Sequence, residues 1–204
     1  MDSSRRPTLI DLPEELRSGR VVVRPYRAAD AEAVFAAIDD SRAHLATFMP
    51  WVHFHQTVAD SRDFCVRAAA NWLTRSSLDL GIFAAGDGAY LGGTGFPRLA
   101  WEVPAFEIGY WIRRTAEGRG YVGEAVRLLA QLAFEQLGAQ RLEIRCDARN
   151  DRSRAVAERL GFLPEARLRN DALGTDGRPR DTLVFALIPE DYARVRRAWW
   201  PDGA

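Results

Sequence analysis

Between Ala105 and Phe162 the chain lays down strand, glycine loop, helix, strand and helix, an order that few folds can use. The apolar run Phe106-Glu107-Ile108-Gly109-Tyr110-Trp111-Ile112 reads as a strand, and a short connector leads to Glu117-Gly118-Arg119-Gly120-Tyr121-Val122-Gly123. A helical pattern follows from Glu124 to Leu137, then a second apolar strand from Arg141 to Cys146. Asn150-Asp151-Arg152-Ser153 then opens a helix that stops at Leu160-Gly161-Phe162. Glycines let the backbone approach a ligand closely, and the unpaired N–H groups of a helix's first turn point at it. The arrangement therefore predicts a phosphate or pyrophosphate site.

Three phosphate-binding designs compete for this segment. A P-loop is excluded, because Glu124 and Ala125 stand where a lysine and a hydroxyl should follow the last glycine. The dinucleotide fingerprint G-x-G-x-x-G is met by Gly118, Gly120 and Gly123, with Asp147 at about the expected distance of ~20 residues. Two features oppose it. Arg113 to Glu117 separate the strand from the first glycine, and after Phe162 the chain holds a hairpin-like pattern and one short helix instead of further strand–helix units.

The third design is a resemblance. Gly109-Tyr110-Trp111, Gly118-Arg119-Gly120-Tyr121, Glu124-Ala125, Asn150 with Ser153, and Glu158-Arg159-Leu160-Gly161-Phe162 occur in this order. Together they resemble the acyl-CoA-binding core of the GNAT N-acetyltransferases, within them the ribosomal-protein alanine and serine N-acetyltransferase (RimJ/RimL-like) branch. The likeness covers roughly Gly19 to Leu187. It implies an α/β (α+β) GNAT fold, a mixed, mostly antiparallel central sheet of about six to seven strands flanked by helices. It implies acetyl-CoA as co-substrate, held by Trp111, Ile112, Gly118, Arg119, Gly120, Tyr121, Val122, Gly123, Asn150 and Arg154. The acceptor it implies is a primary amine, foremost the N-terminal α-amino group of a protein such as a ribosomal protein.

The pattern also departs from the family's. The loop's usual leading Arg or Gln is Glu117, which sets an anion beside the expected pyrophosphate, and its usual closing small residue is Val122. Ala155 replaces a frequent basic residue, with Arg152 and Arg154 close by. Ala157 stands where many GNAT enzymes carry a tyrosine, as is normal in the ribosomal branch, where Ser153 is the stand-in.

The whole chain of 204 residues suits one domain, divided as an extension at 1–18, the GNAT domain at 19–188, and a C-terminal helix and tail at 189–204. Basic and acidic residues balance at 28 each, so no field is offered to nucleic acid or to an acidic membrane surface. Cys65 and Cys146 are too few and too far apart for a disulfide framework or a zinc ribbon, and both read as small buried hydrophobes. Met1 to Pro7 lacks an apolar signal core and no run is long enough to span a membrane, so the expected compartment is the cytoplasm.

Periodicity supplies the remaining elements. Val21 to Pro25 reads as a first strand, and Asp30 as the cap of a helix carrying Ala33, Val34 and Ile38 on one face. Residues 41–73 read as helix in two pieces, broken at Met49-Pro50-Trp51. Leu80 to Ala85 and Tyr90 to Phe96 form a hairpin across Gly86-Asp87-Gly88. Arg167 to Asn170 and Asp181 to Leu187 form another across Gly174-Thr175-Asp176-Gly177, and Pro189 to Trp200 is a helix stopped by Pro201.

Acyl transfer from a thioester to an amine needs a neutral amine, a polarised carbonyl and a proton for the leaving thiolate. An α-amino group, with a pKa near ~8, loses its proton far more readily than a lysine at ~10.4. Ser153 is the candidate donor to the thiolate; with Asn150 or Asp151 it could instead belong to a helix cap. Glu107, which alternation places on the same face as Gly109, is the candidate base, with Glu102, Asp171 and Asp176 behind it. A carboxylate in so apolar a strand is either paired or has a raised pKa. Should Ser153 not act, Tyr110, Tyr121 and Tyr192 are next in line. His44, His53 and His55 are alternative bases; His53 and His55 are two apart and no third ligand accompanies them, so no metal is expected.

The aromatic cluster Phe48, Met49, Trp51, His53 and Phe54 is either core or the wall of an acceptor groove, and Trp199-Trp200 either seals the sheet or meets another subunit in a homodimer. Alternatives within the same fold are a small-molecule amine or antibiotic acetyltransferase, a succinyl-CoA-using enzyme, and a catalytically silent acyl-CoA-binding homologue. A polycationic acceptor would call for an acidic cluster at the late hairpin, which the sequence does not show.

Overall fold

The structure, a computed structural model, describes residues 6–199. Its strands are β1 (Leu16–Arg17), β2 (Val21–Pro25), β3 (Leu78–Ala84), β4 (Tyr90–Ala100), β5 (Ala105–Ile112), β6 (Arg141–Asp147), β7 (Leu163–Leu173) and β8 (Pro179–Leu187). Its helices are α1 (Ala31–Leu45), α2 (Val58–Thr74), α3 (Tyr121–Gln131), α4 (Asp151–Arg159) and α5 (Pro189–Trp199). The eight strands form one sheet in the order β1-β2-β3-β4-β5-β6-β8-β7. Every neighbouring pair is antiparallel except β5 and β6, which run parallel and are joined by the crossover helix α3. The strand beyond the expected six to seven is the two-residue β1, which lies inside the segment 1–18 and pairs with β2 through Leu16↔Val23.

The helices divide between the faces. Ala125, Val126, Leu128 and Leu129 recur at the helical spacing, so α3 buries one apolar stripe against Ile108, Leu142 and Ile144. α4 and α5 join this face through Ala157, Leu160, Tyr192 and Trp199. On the opposite face Val34, Ala37 and Ile38 of α1 and Cys65 and Ala68 of α2 cover Val22, Phe83 and Tyr90, the β2–β4 half of the sheet. Over β5, β6 and β8 that face carries no helix from α1 or α2, and the concavity left there becomes the site.

Several local expectations are refined. α1 runs unbroken to Leu45, and the break at Met49-Pro50-Trp51 is a 3-10 helix, Pro50–Phe54, led by its proline. Asp30 does not cap α1 with its side chain. It forms a two-pronged ion pair with Arg24 at 2.8 Å and accepts the Arg27 N–H, so that although burial raises its pKa, these partners hold it below the usual value. α2 has the cap that α1 lacks, a reciprocal pair between Thr57 and Asp60. The last residues of the long helix pattern, Leu132–Gln136, relax into a π-helical turn. There Phe134 stacks on Tyr192 of α5 at 4.5 Å, while Trp199 meets the same tyrosine edge-on. Trp199 therefore seals the core; Trp200 and Pro201 lie outside the described residues.

Candidate active site

The parallel pair carries the central irregularity. β5 and β6 are in register from Ala105↔Arg141 to Ile108↔Ile144 and then part. Beyond that point Gly109 to Ile112 stay paired to β4 alone, and Arg145 to Asp147 to β8 alone. Each strand thus presents an open edge to a wedge-shaped cleft. Opposite the parting, β4 holds one more residue than β5 between Gly95↔Gly109 and Arg98↔Glu107, a bulge that bends the strand away. Gly95 makes the bend possible: at φ +147° a Cβ there would sit 2.0 Å from the Leu78 carbonyl oxygen, so only glycine fits.

At one end of the cleft lies the glycine loop. Gly118 and Gly120 adopt left-handed conformations, φ +71° and +82°, and Gly120 starts α3 with no side-chain cap. The first-turn N–H groups of Tyr121, Val122 and Gly123 are left to an external acceptor. A Cβ on Gly118 or Gly123 would meet nothing within 4 Å, and one on Gly120 only the Arg20 guanidinium at 3.1 Å. This loop is braced from the N-terminal segment. Arg20 donates to the Arg119 carbonyl at 2.8 Å and pairs with Glu124, whose other oxygen accepts from Ser18 at 2.6 Å. Tyr121 lies under the Arg20 guanidinium. Glu117, the departure that placed an anion here, is held by Arg152 at 3.0 Å and His44 at 2.5 Å, so its charge is answered within the protein. Arg154 pairs along α4 with Asp151 and Glu158 and stands on that helix's outer surface.

Ser153 and Asn150 stand beside the parted edges. Asn150 caps α4, its Oδ1 accepting the Ser153 N–H at 3.1 Å, and its amide is left on the cavity wall. The capping side chain is therefore Asn150, and the Ser153 hydroxyl is free of that task. Ser153 Oγ lies 2.9 Å from the Tyr110 hydroxyl, which also donates to the Ser153 carbonyl. Burial raises the Tyr110 pKa far above the ordinary tyrosine value, so the phenol stays protonated; with its one proton on the Ser153 carbonyl, its oxygen can accept from the Ser153 hydroxyl and fix that side chain. The Cys146 thiol, raised by burial as well, completes this corner.

From there a cavity of about 770 Å³ extends over the uncovered face. Its floor is glycine: Gly93, Gly95 and Gly109 line it. The aromatic cluster at the helix break supplies one wall, with Trp51 5.4 Å from Trp111 and Phe54 largely exposed. His53 is not part of that wall; His55 is, buried beside Ser61, with burial lowering its pKa so that it stays neutral at pH 7. Trp111 thus contributes its ring to this chamber and its backbone to the cleft, whereas the Ile112 side chain packs on the core. Five charged residues line the cavity: Arg67, Asp79, Arg145, Asp147 and Arg180. Asp147 is spent, because Arg149 grips both its oxygens; burial raises its pKa, but Arg149 outweighs that and keeps it low.

Glu107 does not reach the cavity wall. It pairs with Arg98 at 3.4 Å, and burial raises its pKa, so both parts of the expectation for such a carboxylate are realised. Glu102 is exposed in the turn between β4 and β5, while Asp171 and Asp176 are tied to Arg145 and Arg149. Tyr192 is bonded to Glu135 in the core, away from this face. No cluster of metal-ligating side chains occurs among the described residues. Sequence reasoning missed Asp79. It pairs in register with Gly95, which pairs with Gly109, so its carboxylate looks across two bare strands toward the parting. Among the described residues it has no arginine partner, only the Ser77 hydroxyl.

A cleft between parted parallel strands, with an anion-binding helix start at one end and a large chamber at the other, defines a two-substrate transferase site. A family model described as "Acetyltransferase (GNAT) domain" matches residues 20–163, and the chain belongs to that family as an N-acetyltransferase. "Putative ribosomal N-acetyltransferase YdaF" from Bacillus subtilis (strain 168) is 30% identical over 175 residues, 84% of this chain and 93% of that protein. A "putative ribosomal-protein-serine acetyltransferase from Vibrio cholerae" superposes with a TM-score of 0.73 at 26% identity, covering 88% of this chain and 99% of the other. RimL, described as a ribosomal L7/L12 alpha-N-protein acetyltransferase in complex with coenzyme A, shares the fold with a TM-score of 0.80 at 20% identity, covering 86% and 98%. No helix among the described residues is long and apolar enough to cross a membrane.

Proposed function

We propose that the protein transfers the acetyl group of acetyl-CoA to the N-terminal α-amino group of a protein, with a ribosomal protein as acceptor, in the cytoplasm. The observation that carries this reading is the open β5 edge meeting Ser153 and Asn150 at the mouth of a chamber with an uncharged glycine floor. The names of YdaF, RimL and the Vibrio cholerae protein support the acceptor class.

The residues present suit acetyl-CoA. The Gly118–Gly123 loop offers free backbone N–H groups to a pyrophosphate, with Glu117 already paired to Arg152. The unpaired edge of Gly109 to Ile112 and the Asn150 amide suit the amides of an extended pantetheine. A backbone N–H on that edge polarises the thioester carbonyl.

The amine reaches the carbonyl over Gly95 and Gly109. Asp79, about two strand spacings or ~10 Å from Gly109, takes its proton along a chain of waters over the glycine floor. Asp79 takes the role of base here in place of Glu107, because Asp79 lines the chamber and Glu107 does not. As the C–N bond forms and the C–S bond breaks, Ser153 gives its hydroxyl proton to the thiolate, and the proton released by the amine returns to the serine through water, while the Tyr110 hydroxyl 2.9 Å away holds the serine in place.

The test incubates the protein with acetyl-CoA and purified ribosomal proteins, followed by intact-mass and N-terminal peptide spectrometry. A 42 Da gain on one or a few N-terminal α-amino groups is the expected result, since acetyl replaces hydrogen; acetylation confined to lysines or to free small amines would overturn the proposal.

A further inference from the structure

Three of the five charged residues lining the chamber are arginines, and they come from three different elements: Arg67 from α2, Arg145 from β6 and Arg180 from β8. Their existing partners leave donors unused. Among the described residues Arg67 pairs only with the exposed Asp63 on its own helix. Arg145 has one contact to Asp171 at 3.2 Å and a loose one to Glu143 at 3.8 Å. Arg180 donates to the Thr182 hydroxyl and stands 3.7 Å from Asp147, an acid already held by Arg149. A guanidinium has five N–H donors, so each retains capacity for a further carboxylate. Against them stands one carboxylate without an arginine partner, Asp79, which faces the glycine floor where the amine must lie.

Resting on the acceptor reading above, we propose that this wall selects acidic N-termini: chains whose α-amino group lies over the glycine floor that Asp79 faces and whose following residues carry aspartate or glutamate side chains toward Arg67, Arg145 and Arg180. The separation of the three arginines on three elements suits successive side chains of an extended peptide better than one small anion. The hairpin between β7 and β8 supports the same reading. Its Thr175 donates to the Thr47 carbonyl at 2.8 Å, bridging to the α1–α2 connector that carries Phe48, Met49 and Trp51. That bridge ties the hairpin to the segment that supplies the aromatic wall. A polyamine or other polycation would meet repulsion there.

The experiment measures kcat/KM for acetyl-CoA-dependent acetylation of short peptides identical except at positions two to four, which are acidic, neutral or basic. Acidic peptides should exceed basic ones by roughly a hundredfold at low salt, with the gap shrinking as ionic strength rises, because exposed charges are screened. Arg67→Glu, at an exposed position with no structural partner beyond Asp63, should cut the acidic peptide about tenfold and raise the basic one, with the KM for acetyl-CoA unchanged. Arg145→Gln should weaken the acidic preference in the same direction. Equal rates for the three peptides overturn the inference but leave the proposed function standing. Acetylation of no peptide, with coenzyme A binding retained, overturns both. Faster turnover of succinyl-CoA than acetyl-CoA on the neutral peptide assigns the arginines to the acyl donor and also overturns it.

Discussion

Asn150 holds two tasks that a pair of substitutions can separate. Its Oδ1 caps α4 through the Ser153 N–H at 3.1 Å, while its amide NH₂ faces the cavity. Asn150→Ala removes both. Loss of an Asn cap costs ~1 kcal/mol, which in a chain of this size lowers the melting temperature by ~2–4 °C. Loss of one neutral hydrogen bond to pantetheine, ~0.5–1.5 kcal/mol, raises KM for acetyl-CoA by ~2- to 13-fold. Asn150→Asp keeps an acceptor in the capping position, and a carboxylate at a helix start is favourable by ~0.3–1 kcal/mol, offset by the nearby Asp147 and Asp151. It removes the donor. The aspartate variant should therefore melt with the wild type yet share the raised KM of the alanine variant. Thermal melts and steady-state thiol-release kinetics on the two proteins decide the matter. A wild-type KM in the aspartate variant would refute the pantetheine contact and leave Asn150 as a cap alone.

Three further outcomes follow from the same geometry. Ser153→Ala removes a hydroxyl that caps nothing and leaves Tyr110 its bond to the residue 153 carbonyl, so kcat should fall ~10- to 100-fold with little change in melting or in CoA affinity; wild-type turnover would move proton return to Tyr110 or water. Gly120→Asp forces a side chain onto a left-handed position beside Arg20, and should abolish the ~2.7 kcal/mol of stabilisation expected from CoA at ~100 Kd; a folded variant that CoA still stabilises would remove the loop from the binding site. Burial raises the folded-state pKa of Glu107, so the folded protein holds that proton more tightly than the unfolded chain, and stability is lost as pH climbs past the ordinary value of 4.5. Glu107→Gln should thus melt above the wild type at pH 7, lose that advantage at about pH 4 and stay active, whereas Asp79→Asn should lose kcat most at low pH; the opposite pattern of activities would return the role of base to Glu107.

The elements and the glycine loop were legible because their signals are local. The 3.6-residue stripe of α3, the alternation of β5 and the breaks at Pro50 and Gly174 to Gly177 each act within a few residues, and left-handed backbone at Gly118 and Gly120 is a property of glycine itself. The motifs from Gly109 to Phe162 were enough to point to the family, since several of them occur in one order at set separations. Ser153 and Asn150, singled out by the same motifs, line the cavity.

What only the tertiary structure decided lies between segments far apart in the chain. Strand parting at Ile108↔Ile144 and the bulge at Gly95 depend on how three strands share hydrogen bonds, which no single run of residues encodes. Alternation gave Glu107 a face but not a neighbour; in the fold it lies 3.4 Å from Arg98, while Asp79 gains its outlook from register with Gly95 and Gly109. Glu117 is harmless only because His44 and Arg152 fold onto it, and the loop is braced by Arg20 from 104 residues before Glu124. The arginines of the chamber were three among 28 basic residues in a chain of zero formal charge, and composition averages away what the fold gathers. Charge and hydrogen bonding act through space, so their pattern exists only once the chain has folded.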